Sequence, residues 1–398
     1  MRHYFQLVIS IITKGVQIMS DKPNRTETIT SRERVYKTIR HEKADRMPID
    51  LGVHFSTGIS AFAYYNLRKY LGLDVDNIEL IDIGQCLARV DDDIIERFHV
   101  DTILLNPRWI KPKKWNPRGD YVFDIPEGMN PVLQPNGAYK SHEAIMPAGG
   151  FFFDGWHGDV QPMSEDERLE AYAKRAEYIH KETDKFTMMM GFWSFFGDLD
   201  YACDMLTDPD KCKEGNQNHL NWQIEYFDKI NRMFGKYIGA IEVNGDLGTQ
   251  SGCMCTPDSY YDVCYPYLKK FCDHVHNTSD IKIFLHSCGA ISDVLDHVAD
   301  AGVDILNPVQ ISARGMDPVI LKEKYGKKLC FWGGGCDTQN VLWSKTPAEV
   351  AAHVRENVHI LGKDGGLVFN QVHNVMGNVP PENVIAMLNT AWETAWDF

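Results

Sequence analysis

The chain has 398 residues, 44% of them hydrophobic and 24% charged, a globular composition that excludes disorder as the main state and supports a large buried core. A formal charge of −14 excludes nucleic acid and anionic membrane as main partners, because both select basic faces. Ten cysteines are too few for a disulfide scaffold at this length, so free thiols in a reducing, cytoplasmic compartment are expected.

In chain order, the apolar run 4–12 has the character of a signal-peptide core. No small-residue cleavage site follows it, Lys14 comes almost at once, and it is far shorter than the roughly 20 residues of a membrane span. Residues 1–30 are therefore expected to form a flexible extension, with Met19 a candidate start. From Met47 onward short apolar runs alternate with longer amphipathic stretches. The runs at 47–53, 101–105, 186–190, 238–243, 281–285, 304–306, 328–332 and 366–369 read as parallel strands covered on both faces. Helical patterns occupy 165–181, 209–234, 257–276, 291–301, 318–325, 347–361 and 381–396. Ser164, Asp208-Pro209, Thr256-Pro257 and Thr346-Pro347 supply helix starts, a capping side chain in each case and a proline at the first turn in the last three. The carboxylates Asp91, Asp92 and Asp93 read as an exposed helix start. Eight strands alternating with helices predict an α/β fold, a (β/α)8 TIM barrel, as a single domain over 31–398. The stretch at about 106–162, rich in Pro, Gly and aromatics, breaks the pattern. Its pieces at 121–124 and 137–140 predict an antiparallel flap inserted after the second strand.

Catalysis in such barrels sits at the C-terminal strand ends. Those ends offer His54, Asn106, Trp193, Asn244, Asp246, His286, Cys288, Asn307, Gln310, Cys336, Asp337, Asn370 and His373. The densest signal is His286-Ser287-Cys288-Gly289. Residues two apart on a strand share a face, so imidazole and thiolate aim at one ion, and that donor pair suits zinc. Standing alone, His-x-Cys arises by chance, and a strand-end cysteine is commonly a small buried hydrophobe. Position at a barrel mouth is what favours the metal. A catalytic zinc takes three protein ligands and keeps one position open. Cys336, in Gly333-Gly334-Gly335-Cys336-Asp337, is the first candidate for the third; His373 and Glu242 are the substitutes. Cys253-Met254-Cys255 reads as loop packing, and no phosphate loop or Rossmann fingerprint is present.

With these motifs the chain resembles the uroporphyrinogen decarboxylase-like superfamily, in its corrinoid-linked, zinc-dependent methyltransferase branch. The resemblance rests on Ser31-Arg32-Glu33-Arg34-Val35, Asp45-Arg46-Met47-Pro48-Ile49, His286-Ser287-Cys288-Gly289 and Gly333 through Gln339. It continues through Phe369-Asn370-Gln371-Val372-His373-Asn374 and Val379-Pro380-Pro381-Glu382-Asn383. It implies barrel enzymes that move methyl groups between small substrates, corrinoid proteins and thiols, with Zn2+ in the site and the corrinoid (cobalamin) on a partner protein. The chain departs from the decarboxylases in a loop without arginine, Asp50 to Ser56, where they grip a polycarboxylate. A polyanion desolvated without cations is strongly disfavoured. The thiol-methylating members carry a third zinc ligand, a cysteine, after the last strand; here Gln371-Val372-His373-Asn374 stands in that place.

The expected function is transfer of a methyl group from a small methylated substrate to a corrinoid-binding protein, with a homodimer as the candidate assembly. Metal ligands would be His286, Cys288 and Cys336; catalytic groups Asp246, Gln310 and Asn370; substrate contacts His54, Trp193, Asn244 and Asn307. Trp193, Phe195 and Phe196 would form an aromatic wall. Arg108, Lys111, Lys113, Lys114 and Arg118 offer a basic feature to which a corrinoid protein could dock. The rivals are a tetrapyrrole decarboxylase and a non-catalytic corrinoid- or tetrapyrrole-binding module.

Overall fold

The structure, a computed structural model, describes residues 25–133, 135, 139–141, 144–146 and 163–398. Six parallel strands lie side by side in chain order: Met188–Trp193, Ala240–Asn244, Lys282–His286, Ile305–Asn307, Cys330–Trp332 and Leu367–Val368. The first two expected strands shrink to single bridges, Ile49 to Phe369 and Thr102 to Phe186. Backbone N–H groups of Asp50, Asp101 and Phe186 donate to Phe369, Ile49 and Asp101 in turn, at 2.8, 2.7 and 2.9 Å. One edge of the six-stranded sheet is thus bonded to the segment at Ile49, the other to the segment at Asp101, and these two segments bond to each other.

Alternation along these strands sorts the core into two layers. Ile241, Val243, Ile283, Leu285, Leu306, Phe331 and Leu367 pack outward with helix residues such as Phe227, Phe271 and Val298. Phe186, Met188, Ala240, Phe284, Ile305, Cys330, Trp332 and Val368 form a separate inner cluster. Apolar side chains on both faces are what parallel strands under helices require. Two residues further along, the inner face turns polar. Glu242 follows Ala240, His286 follows Phe284, Asn307 follows Ile305 and Asn370 follows Val368. That switch places the candidate chemistry at one end of the sheet.

Helices whose starts are chemically marked match their expected bounds: Pro209–Phe234, Pro318–Tyr325 and Pro347–Leu361, capped by Asp208, Asp317 and Thr346. Ser164 closes a capping box with Glu167. The expected helix at 257–276 divides into Pro257–Val263 and Tyr265–Thr278. Pro266, lacking an N–H and clashing with the preceding turn, forces the restart. Helices Ser31–Ile39, Ala61–Tyr70 and Leu199–Thr207 were not anticipated.

A second sheet orders Leu87–Ala88, Ile78–Asp82, Tyr121–Pro126 and Pro112–Arg118. Tyr121–Pro126 runs antiparallel to Pro112–Arg118 and parallel to Ile78–Asp82. Of this sheet only 121–124 is expected from the sequence; Pro112–Arg118, Ile78–Asp82 and Leu87–Ala88 are not. Pro112–Arg118 lies at an edge, where prolines and lysines are tolerated, so it carries no apolar alternation. Short antiparallel pairings also join Val132–Leu133, Tyr139–Ser141 and Ala144–Met146. The expected strand at 137–140 lies partly outside the described residues. So do residues 1–24; the rest of the extension expected to be flexible, 25–30, is tied down. Arg25 donates to Glu393 O at 2.8 Å, and the N–H groups of Thr28 and Ile29 donate to Asp45.

At the N-terminal end of the strands, two buried guanidiniums share one buried carboxylate. Arg34 donates to Asp101 at 2.6 Å, and Arg46 donates to both Asp101 oxygens at 2.7 and 2.9 Å. The Asp101 carboxylate also accepts from Ile49 N at 2.8 Å, joining the helix Ser31–Ile39 to the two bridging segments. Burial alone would lower the Arg34 pKa, but Asp45 and Asp101 hold it above its ordinary value. Asp101→Ala removes the fully buried carboxylate that both guanidiniums share and leaves Asp45 as the carboxylate hydrogen-bonded to Arg34 and Glu27 as that bonded to Arg46, so a loss on the order of 3–5 kcal/mol is expected. The urea unfolding midpoint measures it; a shift no larger than that of a surface aspartate would refute the assignment.

Candidate metal centre

Register brings the expected residues together. Trp193 pairs with Asn244, Asn244 with His286 and His286 with Asn307. Paired residues on neighbouring parallel strands share a face, so these four form one row across the mouth. Cys288 stands two residues beyond His286. His286, Cys288 and His373 each present one ligand atom, all within 4.8 Å of one another. Cys288 Sγ is 3.6 Å from His286 Nε2. Sulfur and nitrogen on a tetrahedral zinc, at ~2.3 and ~2.0–2.1 Å from the ion, are themselves about 3.6 Å apart. The donor set and its spacing therefore fit zinc.

Cys336, the expected third ligand, is not part of this cluster. The glycine turn before it folds the chain inward, with Gly335 N donating to Asn370 O and Val372 N to Cys336 O, both at 2.9 Å. Cys336 is fully buried in the outer hydrophobic layer, where burial pushes its thiol well up. His373, named from the sequence only as a substitute, occupies the third corner.

Burial is the first influence on the titratable groups of the cluster. Burial drives His373 down to about 3, helped by His286 and His54. Burial also lowers His286, against the pull of Asp246 and reinforced by His54. The Cys288 thiol is raised by burial and by Asp246. Beneath the row, His54 Nε2 meets Glu242 Oε1 at 2.6 Å. Burial opposes ionisation of Glu242, yet His54, His286 and the Gly191 N–H keep its pKa below the ordinary value. The His54 ring centroid lies 5.4 Å from that of His286. His54 is thus a buried partner of a carboxylate, and Glu242 is engaged by His54 rather than grouped with the cluster.

Other expected residues take positioning roles. Asp246 Oδ1 accepts the Cys288 N–H at 2.7 Å and lies 3.8 Å from His286 Nε2. Gln310 accepts the Gly289 N–H at 2.7 Å and donates to Gln250 at 2.8 Å. Asn370, expected to be catalytic, donates to the carbonyls of Asp50 and Thr57 at 3.1 and 3.3 Å. It holds the loop after Ile49 to the last strand. Asn307 bonds His286 Nδ1 at 2.8 Å and Ser56 Oγ at 2.7 Å. Ser56 was not singled out; its position two residues beyond His54 was the available signal. Gly289 adopts φ +92°, and a Cβ there would overlap the Gly248 carbonyl. Only glycine lets the chain turn away directly behind Cys288.

The expected aromatic wall reduces to Trp193, which is 46% exposed, whereas Phe195 and Phe196 are buried in the core. Cys253 packs in its loop, its thiol donating to Ala290 O at 3.3 Å. The basic stretch is largely matched by acidic partners. Arg108 pairs with Glu79 and Asp91, Lys111 with Glu127 and Lys114 with Asp124. Arg118 lies over Phe62 and Tyr121. Local pairing cancels much of the field that would steer a partner.

The model of the family "Uroporphyrinogen decarboxylase (URO-D)" matches residues 160–394. A solved structure described as "methyltransferase from Methanosarcina mazei" aligns with a TM-score of 0.53 at 15% identity, covering 92% of this chain and 99% of that one. At this identity the likeness bears on the fold alone. A second, "Crystal structure analysis of Dispersin B", reaches a TM-score of only 0.32 at 9% identity, over 89% of this chain and 99% of that one. It carries no argument. No curated protein sequence matches.

With both imidazoles neutral and Cys288 a thiol at pH 7, zinc loading is expected to release about one proton per ion and to tighten as pH rises. Titration with Zn2+ in weakly buffered solution, read by a pH indicator, measures both. Cys288→Ser and His373→Ala should weaken binding by more than the roughly 10–100-fold typical of outer partners. Cys336→Ser should leave it unchanged; loss of zinc in that variant would reinstate Cys336.

Proposed function

This chain belongs to the uroporphyrinogen decarboxylase (URO-D) family, and from that membership and the His286–Cys288–His373 cluster we propose that it is a zinc-dependent methyltransferase. In this reading it moves a methyl group from a small methylated substrate to a corrinoid carried by a partner protein. The observation that carries the proposal is the set of His, Cys and His donors on the inner face, with sulfur and nitrogen 3.6 Å apart. The same reading takes the fold as a closed (β/α)8 barrel bearing an antiparallel flap after its second strand. The bridges at Ile49 and Thr102 and the antiparallel pairing of Pro112–Arg118 with Tyr121–Pro126 support it.

His286, Cys288 and His373 would hold the ion. Bound zinc supplies Lewis acidity, which eases departure of a heteroatom from its methyl group or holds an acceptor thiol as thiolate. The chain's own residues prepare the place. Asp246 fixes the Cys288 backbone through its N–H, and Gln310 fixes Gly289. His54 and Glu242 pair below the cluster, 2.6 Å apart, and hold the floor of the site in place. Trp193, in the same row and half exposed, offers an apolar face to the substrate. Asn244 and Asn307 complete the polar row, Asn244 as a substrate contact.

Porphyrinogen decarboxylation finds no support in the charge distribution. The segment Asp50 to Ser56 contains no arginine. Arg89, the nearby buried cation, is held by Glu79 at 3.0 and 3.1 Å.

The test supplies zinc-loaded protein with reduced cobalamin and a panel of methyl ethers, methylamines and methyl thioethers. A donor-dependent change in the corrinoid absorption spectrum is expected, at least 100-fold slower in Cys288→Ser. Zinc-independent decarboxylation of uroporphyrinogen would overturn the proposal. Corrinoid or tetrapyrrole binding without turnover of any donor would favour a binding module instead.

A further inference from the structure

The hydrogen bonds behind His286 form a chain whose donors and acceptors can be assigned one at a time. Asn307 Nδ2 lies 2.9 Å from Trp332 O. A backbone carbonyl only accepts, so the atom facing it is the donating amide nitrogen. The other carboxamide atom, Oδ1, must then be the acceptor. Two groups meet it, the Ser56 hydroxyl at 2.7 Å and His286 Nδ1 at 2.8 Å. An acceptor at that distance requires a proton on Nδ1. An imidazole that ligates a metal does so through its unprotonated nitrogen, and with the proton on Nδ1 that nitrogen is Nε2, the atom 3.6 Å from Cys288 Sγ. We infer that Asn307 is the positioning residue that sets the tautomer of His286, turning its Nε2 lone pair toward the metal position.

One group pulls the other way. Asp246 Oδ1 lies 3.8 Å from His286 Nε2 and would favour a proton there. That distance is too long for a hydrogen bond, and the same oxygen already accepts the Cys288 N–H at 2.7 Å. Asn307 holds the advantage because its contact is direct and its orientation is locked by Trp332 O. Asn307 is fully buried and His286 only 7% exposed, so water competes little for Nδ1. A ligating imidazole generally depends on such an outer partner for its ring orientation and its basicity.

The inference concerns the metal centre of the proposed function, but its first readout needs neither metal nor substrate. Long-range 1H–15N spectra of metal-free protein labelled at histidine nitrogen, at pH 7.5, distinguish the two neutral tautomers directly. His286 is identified by the signal lost in His286→Gln. Wild type should show the proton on Nδ1. In Asn307→Leu the acceptor is gone, and the proton should move to Nε2, with zinc affinity falling about 10–100-fold. Asn307→Asp still accepts from Nδ1, so it should keep the tautomer and most of the affinity. Ser56→Ala should also keep the tautomer. A wild-type signal with the proton on Nε2 overturns the inference. So does a folded Asn307→Leu whose tautomer and zinc affinity are unchanged. If Asn307→Leu does not fold, the wild-type spectrum and Asn307→Asp still decide. Failure of methyl transfer with these results intact would sink the proposed reaction and leave the role of Asn307 standing.

Discussion

Parallel pairing between neighbouring strands is the constraint on which the mouth of this protein depends. In a parallel ladder, residues in register share a face, and each strand returns to that face every second residue. Asn244, His286 and Asn307 are therefore neighbours because Ala240–Asn244, Lys282–His286 and Ile305–Asn307 are in register. Cys288 rises over the same face because it is two residues on. A slip of one residue in Lys282–His286 would turn His286 into the outer apolar layer and Leu285 into the mouth. Phe284 below, packed among Ala240, Ile305 and Trp332, holds the strand against such a slip.

The two ends of the sheet handle buried charge differently. At the N-terminal end, Arg34, Arg46, Asp45 and Asp101 satisfy one another, and the contacts of Asp101 with Arg34 and Arg46 span 67 and 55 positions of the sequence. At the C-terminal end the groups are fewer and less evenly matched. His54 and Glu242 form one pair, while His286, Cys288 and His373 gather without an opposing charge among themselves. Closely spaced donors with no internal counter-charge suit a cation arriving from outside. The closed set at the other end suits permanence. Stability and chemistry are thus kept apart along the strand axis, as barrel-type folds commonly arrange them.

Much of this was legible in the sequence, and the lapses have local causes. The strand runs were found because apolar stretches on both faces leave a continuous signal. Helix starts were found where a capping side chain precedes a proline, as at Pro209, Pro257 and Pro347, whereas the capped starts of Ser31–Ile39 and Leu199–Thr207, which have no proline, were not. Ala61–Tyr70 escaped because its buried face contains Tyr64, Tyr65 and Arg68, which read as polar although they pack inward. Pro112–Arg118 escaped because an edge strand needs no apolar alternation. Among site residues, His286 and Cys288 could be placed from spacing alone. The choice between Cys336 and His373 could not. Both follow a strand by a few residues, and what separates them is the path of the Gly333-Gly334-Gly335 turn, which tucks one away and leaves the other exposed to the mouth. Glu242 was recognisable as an inward residue; its partner, His54, lies 188 positions away, beyond the reach of any local pattern.

The tight turn at Gly289 bears on how related chains are to be recognised in uncharacterised genomes. Histidine and cysteine one residue apart are common in any proteome and mark nothing by themselves. Here the backbone behind the cysteine passes so close to Gly248 that no side chain fits after it. A useful signature is thus four letters long, His-x-Cys-Gly. Its last letter, which touches no ligand, separates strands that build such a pocket from coincidental matches.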